Sequence, residues 1–123
     1  MSKSSLNVCL IGGAGYIGIE LARTLCATSD IDRLTIYDNL QRGNFNVFCG
    51  PDFGKETRVS FVEGDILDTR QLKLAVADSD VIFSLAGAVP SKQAFTAPHV
   101  FEQINNWGTA NLVNALRELK ASS

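Results

Sequence analysis

The sequence predicts an α/β fold: a doubly wound parallel sheet of about four strands, truncated there, in the spatial order 3-2-1-4. Three observations carry that expectation. Short β-branched runs alternate with stretches of helical periodicity along the whole chain. The fourth strand candidate, residues 80–86, is a nearly continuous apolar run, the pattern of a parallel strand covered on both faces. A glycine cluster sits at the first strand-to-helix turn. Right-handed crossovers between successive parallel strands then give the 3-2-1-4 order.

The elements follow in order. Leu6, Val8, Cys9, Leu10 and Ile11 form a first strand over 6–11, ended by glycines. Residues 14–28 form a helix with Ile17, Leu21 and Leu25 at helical spacing. A second strand covers 33–38. Residues 39–57 read as loop, punctuated by Gly43, Gly50, Pro51 and Gly54. A third strand covers 58–63. Asp68 or Thr69 then caps a helix carrying Leu72, Leu74, Ala75 and Val76. Residues 80–86 form the fourth strand, an apolar run whose place in this order is nonetheless an edge. One long helix closes the chain over 98–120, with Phe101, Ile104, Leu112, Leu116 and Leu119 on its main stripe. Trp107, Ala110 and Val113 lie beyond that stripe, so two of its faces call for partners.

Composition bounds the function. The 123 residues suit a single domain over 1–123, and 46% hydrophobic with 20% charged residues is an ordinary globular balance. The formal charge of −2 offers no basic excess for a phosphate backbone, which disfavours nucleic acid. Cys9, Cys26 and Cys49 are odd in number and lack C-x-x-C spacing, so they spell neither a disulfide framework nor a zinc site. No apolar run is long enough to span a membrane, and the N-terminus does not read as a secretory signal. A cytoplasmic location is the expectation.

The sharpest motif is Gly12-Gly13-Ala14-Gly15-Tyr16-Ile17-Gly18. It fits G-x-G-x-x-G through Gly13, Gly15 and Gly18, and G-x-x-G-x-x-G through Gly12, Gly15 and Gly18. Glycine serves three needs there: a sharp turn, close backbone approach to a pyrophosphate, and close packing of helix on strand. The phosphates would rest on the helix N-terminus, where unpaired N–H groups and the helix dipole favour negative charge. Asp38 stands twenty residues beyond Gly18, at the end of the second strand. A carboxylate there accepts from a ribose 2′-hydroxyl and repels a 2′-phosphate, so NAD is favoured over NADP. Two other readings stand beside this one. The loop can be a glycine-rich turn without a ligand, or a loop for S-adenosylmethionine, in which the helix N-terminus would hold no phosphate.

With Tyr37-Asp38-Asn39-Leu40 following the glycine loop, the chain resembles the extended short-chain dehydrogenase/reductase family of NAD-dependent nucleotide-sugar epimerases and dehydratases. Three later blocks agree in order and spacing. Residues 63–68 (Glu-Gly-Asp-Ile-Leu-Asp) resemble the family's G-D-x-x-D segment, residues 80–87 its fourth strand, and residues 105–112 its N-x-x-G-T-x-N-L helix. The resemblance implies a Rossmann-like, NAD-binding domain. It implies contacts to the cofactor from Gly12, Gly15, Tyr16, Ile17 and Gly18, and from Asp38 and Asn39. Asp65 would bond the adenine amino group while the Ile66 N–H meets the ring; alternatively, Asp65 caps its own loop. Leu85, Ala86 and Gly87 would line the ribose and nicotinamide side, or simply pack a strand end tightly. Asn105 would fix the strand-to-helix geometry near the cofactor, or face solvent. Arg42 and the stretch 43–54 either touch the adenine side or form a solvated loop. Ser84, Gly87 and Ile11 depart from the family's usual His, Ala and Thr.

The family's catalysis uses a Tyr-x-x-x-Lys pair helped by Ser or Thr, in general acid–base chemistry around hydride transfer. This chain has two tyrosines, and neither qualifies: Tyr16 is followed four residues on by Glu20, and Tyr37 by Gln41. His99 is the lone histidine, which precludes a histidine-based metal cluster, and its expected place is exposed near the start of the last helix. The chain therefore reads as a dinucleotide half-site without the reaction half: the N-terminal portion of such an enzyme or, alternatively, a stand-alone regulatory module. A nucleotide-sugar substrate belongs to a full-length form. The last helix, which in the family joins a dimer's helical bundle, and the uncovered fourth strand predict self-association.

Overall fold

A computed structural model describes residues 5–12, 16–28, 30–40, 58–86, 96–99 and 103–122. Their elements run β1 (Leu6–Ile11), α1 (Tyr16–Cys26), β2 (Ile31–Asp38), β3 (Val59–Glu63), α2 (Thr69–Val76), β4 (Val81–Ser84), a π-helical turn (Gln103–Trp107) and α3 (Gly108–Ser122). The four strands form one parallel sheet in the order β3-β2-β1-β4, as the alternating pattern predicts. Among the described residues β4 is therefore an edge.

Strand alternation divides the core in two. Val8, Leu10, Leu34 and Ile36 turn to one face, where Ile19 and Ala22 of α1 cover them. Cys9, Ile11 and Tyr37 turn to the other, against Leu72 and Val76 of α2 and Leu112 of α3. Both faces of the two central strands are thus covered, and the residues they bury are apolar apart from the Tyr37 hydroxyl.

Several details differ from the sequence expectation. β2 begins at Ile31 rather than Arg33, because its pairing with β1 skips Asp32: Leu6 lies opposite Ile31, and Asn7 opposite Arg33. The extra residue puts Ile31 on the same face as Leu34, three positions on, and so hides the period of two. Arg58 lies just before β3 and donates from Nη1 to the Ile31 carbonyl and from Nη2 to the Cys26 carbonyl, both at 2.8 Å. It ties the C-terminus of α1 to the start of β2. On α1, Ile17 is 73% exposed, and Ile19 and Ala22 take the core positions. The closing helix is interrupted: the π-helical turn precedes Gly108, and α3 buries Leu112 and Ala115 while Leu116 is 37% exposed. Trp107 and Val113 are 68% and 52% exposed, so the second apolar face is present on the surface. Phe101, the first residue of the expected stripe, lies outside the described residues. No helix among the described residues is long and apolar enough to cross a membrane.

Candidate functional site

The carboxyl ends of β1, β2, β3 and β4 carry most of the candidate residues. From β1 the chain crosses through α1 to β2 on one side, while β4 flanks β1 on the other. That reversal is the switch point at which doubly wound sheets open a crevice.

Gly12 makes the turn that leaves β1. Its φ of +81° lies in the left-handed region, and its N–H donates to the Tyr37 carbonyl at 2.7 Å. A Cβ there would fall 2.5 Å from the backbone nitrogen of Ala86 and 2.8 Å from the carbonyl carbon of Leu85. Leu85 in turn donates to the Ile11 carbonyl at 2.7 Å. The glycine thus serves the sharp turn and also the close approach of Leu85 and Ala86, an approach within the protein that the phosphate argument alone does not require. Gly18 is buried in α1, and Tyr16 opens that helix. Gly15 and Gly87 lie outside the described residues, as do Arg42 and residues 43–54.

Asp38 ends β2, half-buried. Its Oδ1 accepts from the N–H of Leu40 at 2.7 Å, and its carbonyl accepts from Gly64 at 3.0 Å. The first bond closes a tight turn around exposed Asn39, with Leu40 held at φ +57°. That is a costly conformation for a leucine, and the carboxylate bond and the packing of Leu40 on the core offset it.

The turn after β3 lies beside it. Asp65 is exposed, and its Oδ1 accepts from Leu67 N–H at 2.9 Å, so the loop-capping reading of Asp65 is realised. A carboxylate has several lone pairs, and this bond leaves the cofactor reading open as well. Ile66 is buried. Asp68, rather than Thr69, is the N-cap of α2: it has extended backbone and accepts from Gln71 N–H at 3.1 Å. Asn105 sits half-buried in the π-helical turn, its carbonyl accepting from the Thr109 hydroxyl at 3.1 Å. His99 is exposed.

Two side chains in this region carried no role in the sequence reading. Tyr37 is 1% exposed, and its hydroxyl donates to the Asp65 carbonyl at 2.6 Å. Burial, then the nearby carboxylates of Asp68 and Asp65 and the Cys9 thiol, push its pKa up to about 12. Asn111 of α3 donates from Nδ2 to the Ile66 carbonyl at 2.9 Å and accepts from the Thr69 hydroxyl at 3.0 Å. Their signal was a polar tip on an otherwise buried face: Tyr37 alternates in phase with Cys9 and Ile11, and Asn111 neighbours buried Leu112. Such groups require partners. Gly64 and Gly108 make room for this packing, since a Cβ at Gly64 would lie 2.5 Å from the Tyr37 hydroxyl oxygen and one at Gly108 2.8 Å from Ile66 Cγ2.

Comparison with known proteins agrees with this geometry. The family model described as GDP-mannose 4,6 dehydratase matches residues 10–123. The chain is 31% identical over 110 residues to the low-salt glycan biosynthesis protein of Haloferax volcanii, covering 89% of this chain and 35% of that protein. It is 26% identical over 122 residues to the UDP-glucose 4-epimerase of Mycoplasma genitalium, covering 98% of this chain and 34% of that one. Among solved structures, UDP-glucose 4-epimerase from Brucella ovis in complex with NAD aligns with a TM-score of 0.76 and 27% identity, over 94% of this chain and 33% of that one. The chain spans about a third of the length of these relatives. The matched residues run from within β1 through α3, and the chain belongs to the GDP-mannose 4,6-dehydratase family, within the NAD-dependent epimerases and dehydratases of the short-chain dehydrogenase/reductase superfamily.

Proposed function

We propose that the carboxyl edge of this sheet binds NAD, and that residues 1–123 supply the cofactor-binding part of an NAD-dependent nucleotide-sugar epimerase or dehydratase. The observation that carries this is the gathering, at one switch point, of the Gly12 turn, the Asp38 carboxylate, the 64–68 turn and the β4 end at Ala86. The Brucella ovis relative, solved in complex with NAD, supports it. Bound NAD would supply reversible hydride acceptance from a sugar carbon.

The chain's own residues bind and orient. Asp38 accepts from the adenosine ribose, with Asn39 beside it. Asp65 and the Ile66 N–H meet the adenine. Gly12, Gly15, Tyr16, Ile17 and Gly18 bring the backbone and the α1 N-terminus to the pyrophosphate. Leu85, Ala86 and Gly87 line the ribose and nicotinamide side, and Asn105 fixes the geometry where α3 approaches. The composition supports a cytoplasmic location. The exposed Trp107, Ala110 and Val113 face of the last helix and β4, an edge strand among the described residues, support self-association, which sedimentation at rising concentration tests: a sharp monomer peak throughout contradicts it.

The test of the cofactor assignment is the ratio of NAD to NADP affinity in the parent chain and in Asp38→Ala. A hydrogen bond to a charged group contributes about 1.5–3 kcal/mol, so the parent should prefer NAD by about tenfold or more and the variant should lose that preference. The same ratio in both proteins overturns the assignment.

A further inference from the structure

Tyr37 and Asn111 reach the 64–68 turn from two different elements and bind consecutive carbonyls, of Asp65 and Ile66. Tyr37 comes from β2, and Asn111 from α3. In a trans peptide the carbonyl and the next residue's N–H point in opposite directions. Holding the Asp65 carbonyl toward Tyr37 therefore turns the Ile66 N–H away from the Tyr37 side. Holding the Ile66 carbonyl toward Asn111 turns the Leu67 N–H the other way, onto the Asp65 carboxylate, where it bonds Oδ1 at 2.9 Å. The Asp68 N–H shares the Asp65 carbonyl at 3.0 Å, so the turn has a backbone bond of its own and the two side chains fix its orientation.

We infer that Tyr37 and Asn111 are positioning residues that set the Ile66 N–H and the Asp65 carboxylate as a paired donor and acceptor, selecting a 6-aminopurine over a 6-oxopurine. This rests on the NAD reading above. An aminopurine offers an amino donor beside a ring-nitrogen acceptor, which matches that pair; an oxopurine offers a carbonyl acceptor beside an N–H donor, which opposes it at both points. The fit around the clamp is close. Gly64 admits the Tyr37 ring, and Gly108 admits Ile66.

The test uses the parent chain with Tyr37→Phe, Asn111→Leu and the double variant. Calorimetric dissociation constants are measured for NAD and for nicotinamide hypoxanthine dinucleotide, which differs at the purine 6-position. The parent should prefer NAD by about tenfold. Each single variant should cut that preference by about threefold to tenfold, the range of one neutral hydrogen bond, and the double variant should nearly erase it. A purely structural role weakens both dinucleotides alike and leaves the ratio at the parent value; that result overturns the inference and spares the NAD reading. A parent that binds both dinucleotides equally also overturns it. A parent that binds neither overturns the NAD reading and the inference together. Amide exchange at Leu67 gives a second readout that needs no ligand and is available in Asn111→Leu should Tyr37→Phe fail to fold. Exchange should quicken by about the same factor, and unchanged protection contradicts the clamp.

Discussion

On the face covered by α1, the sheet meets side chains that are almost wholly apolar: Val8, Leu10, Leu34 and Ile36 against Ile19 and Ala22. The polar tie on that side, Arg58 to the Cys26 and Ile31 carbonyls, stands at the start of β2, away from the strand ends that carry the candidate site. On the opposite face Cys9, Ile11 and Tyr37 meet α2 and α3, and polar groups run through the packing. The Tyr37 hydroxyl, the Asn111 amide, the Thr69 hydroxyl and the Asp68 cap all converge on residues 64–71. Apolar burial stabilises without direction, whereas hydrogen bonds fix where a carbonyl points. The first face can hold the sheet together; the second also dictates the geometry of a turn at the site.

The contrast can be broken most severely at Gly64. An added Cβ would lie 2.5–2.6 Å from the hydroxyl oxygen and two ring carbons of buried Tyr37. Gly64→Ala should cost about 3 kcal/mol in denaturant unfolding and weaken NAD binding as well. Leu72→Ala, a cavity under the same face, should cost a similar ~3 kcal/mol. On the α1 face, Ile19→Val should cost only about 1 kcal/mol and leave the NAD to NADP ratio at the parent value. A shift in that ratio with Ile19→Val would show that the α1 face also sets the site.

Alkaline titration sharpens the same comparison, because both raised acids lie on the α2/α3 face. Burial pushes Cys9 up to about 11 and Tyr37 up to about 12. Each is therefore held neutral in the fold. Its contribution is whole below the unfolded values of 9.0 and 10.0 and is lost as pH rises through the folded ones. Stability should fall by about 1.4 kcal/mol per pH unit per group within those windows. Tyr37→Phe should flatten the fall above pH 10, and parallel curves for parent and variant would contradict the assignment. The smallest effect belongs to the surface pair of Lys73 and Glu118, 2.9 Å apart between α2 and α3. Lys73 holds the Glu118 carboxyl below its ordinary value of 4.5, so the pair helps above that pH and is lost on acidification. Lys73→Met should return Glu118 to its ordinary titration in an NMR pH series, with little change in melting.

The strand order and the glycine turn were legible in the sequence because they rest on local pattern: short β-branched runs alternating with helical periodicity, the hand of the crossovers, and a glycine cluster between a strand and a helix. Asp38 was legible for the same reason, as an acid at a strand end. Ile31 is hidden in the sequence because the skipped Asp32 breaks the period of two, and the interruption of the last helix is hidden because a π-helical turn has no simple sequence period. Ile17 shares helical spacing with Leu21 and Leu25, which do pack against the core, but Ile17 itself is exposed and Ile19 and Ala22 take the buried positions. Tyr37 and Asn111 fall within motifs whose pattern says nothing of what these two side chains bind. Their partners lie 28 and 45 residues away, and only the packed sheet and helices bring them together.

A nitrogen-15 NMR titration of the chain with NAD tests the site assignment most directly, since each described amide reports separately. The expected result is a set of perturbed amides confined to the carboxyl edge, at Gly12, Leu40, Ile66, Leu67 and Ala86, while those on the outward side of α1 beyond its first turn stay still. Perturbations centred on the outer face of α1, or none at NAD concentrations that saturate related enzymes, would contradict it.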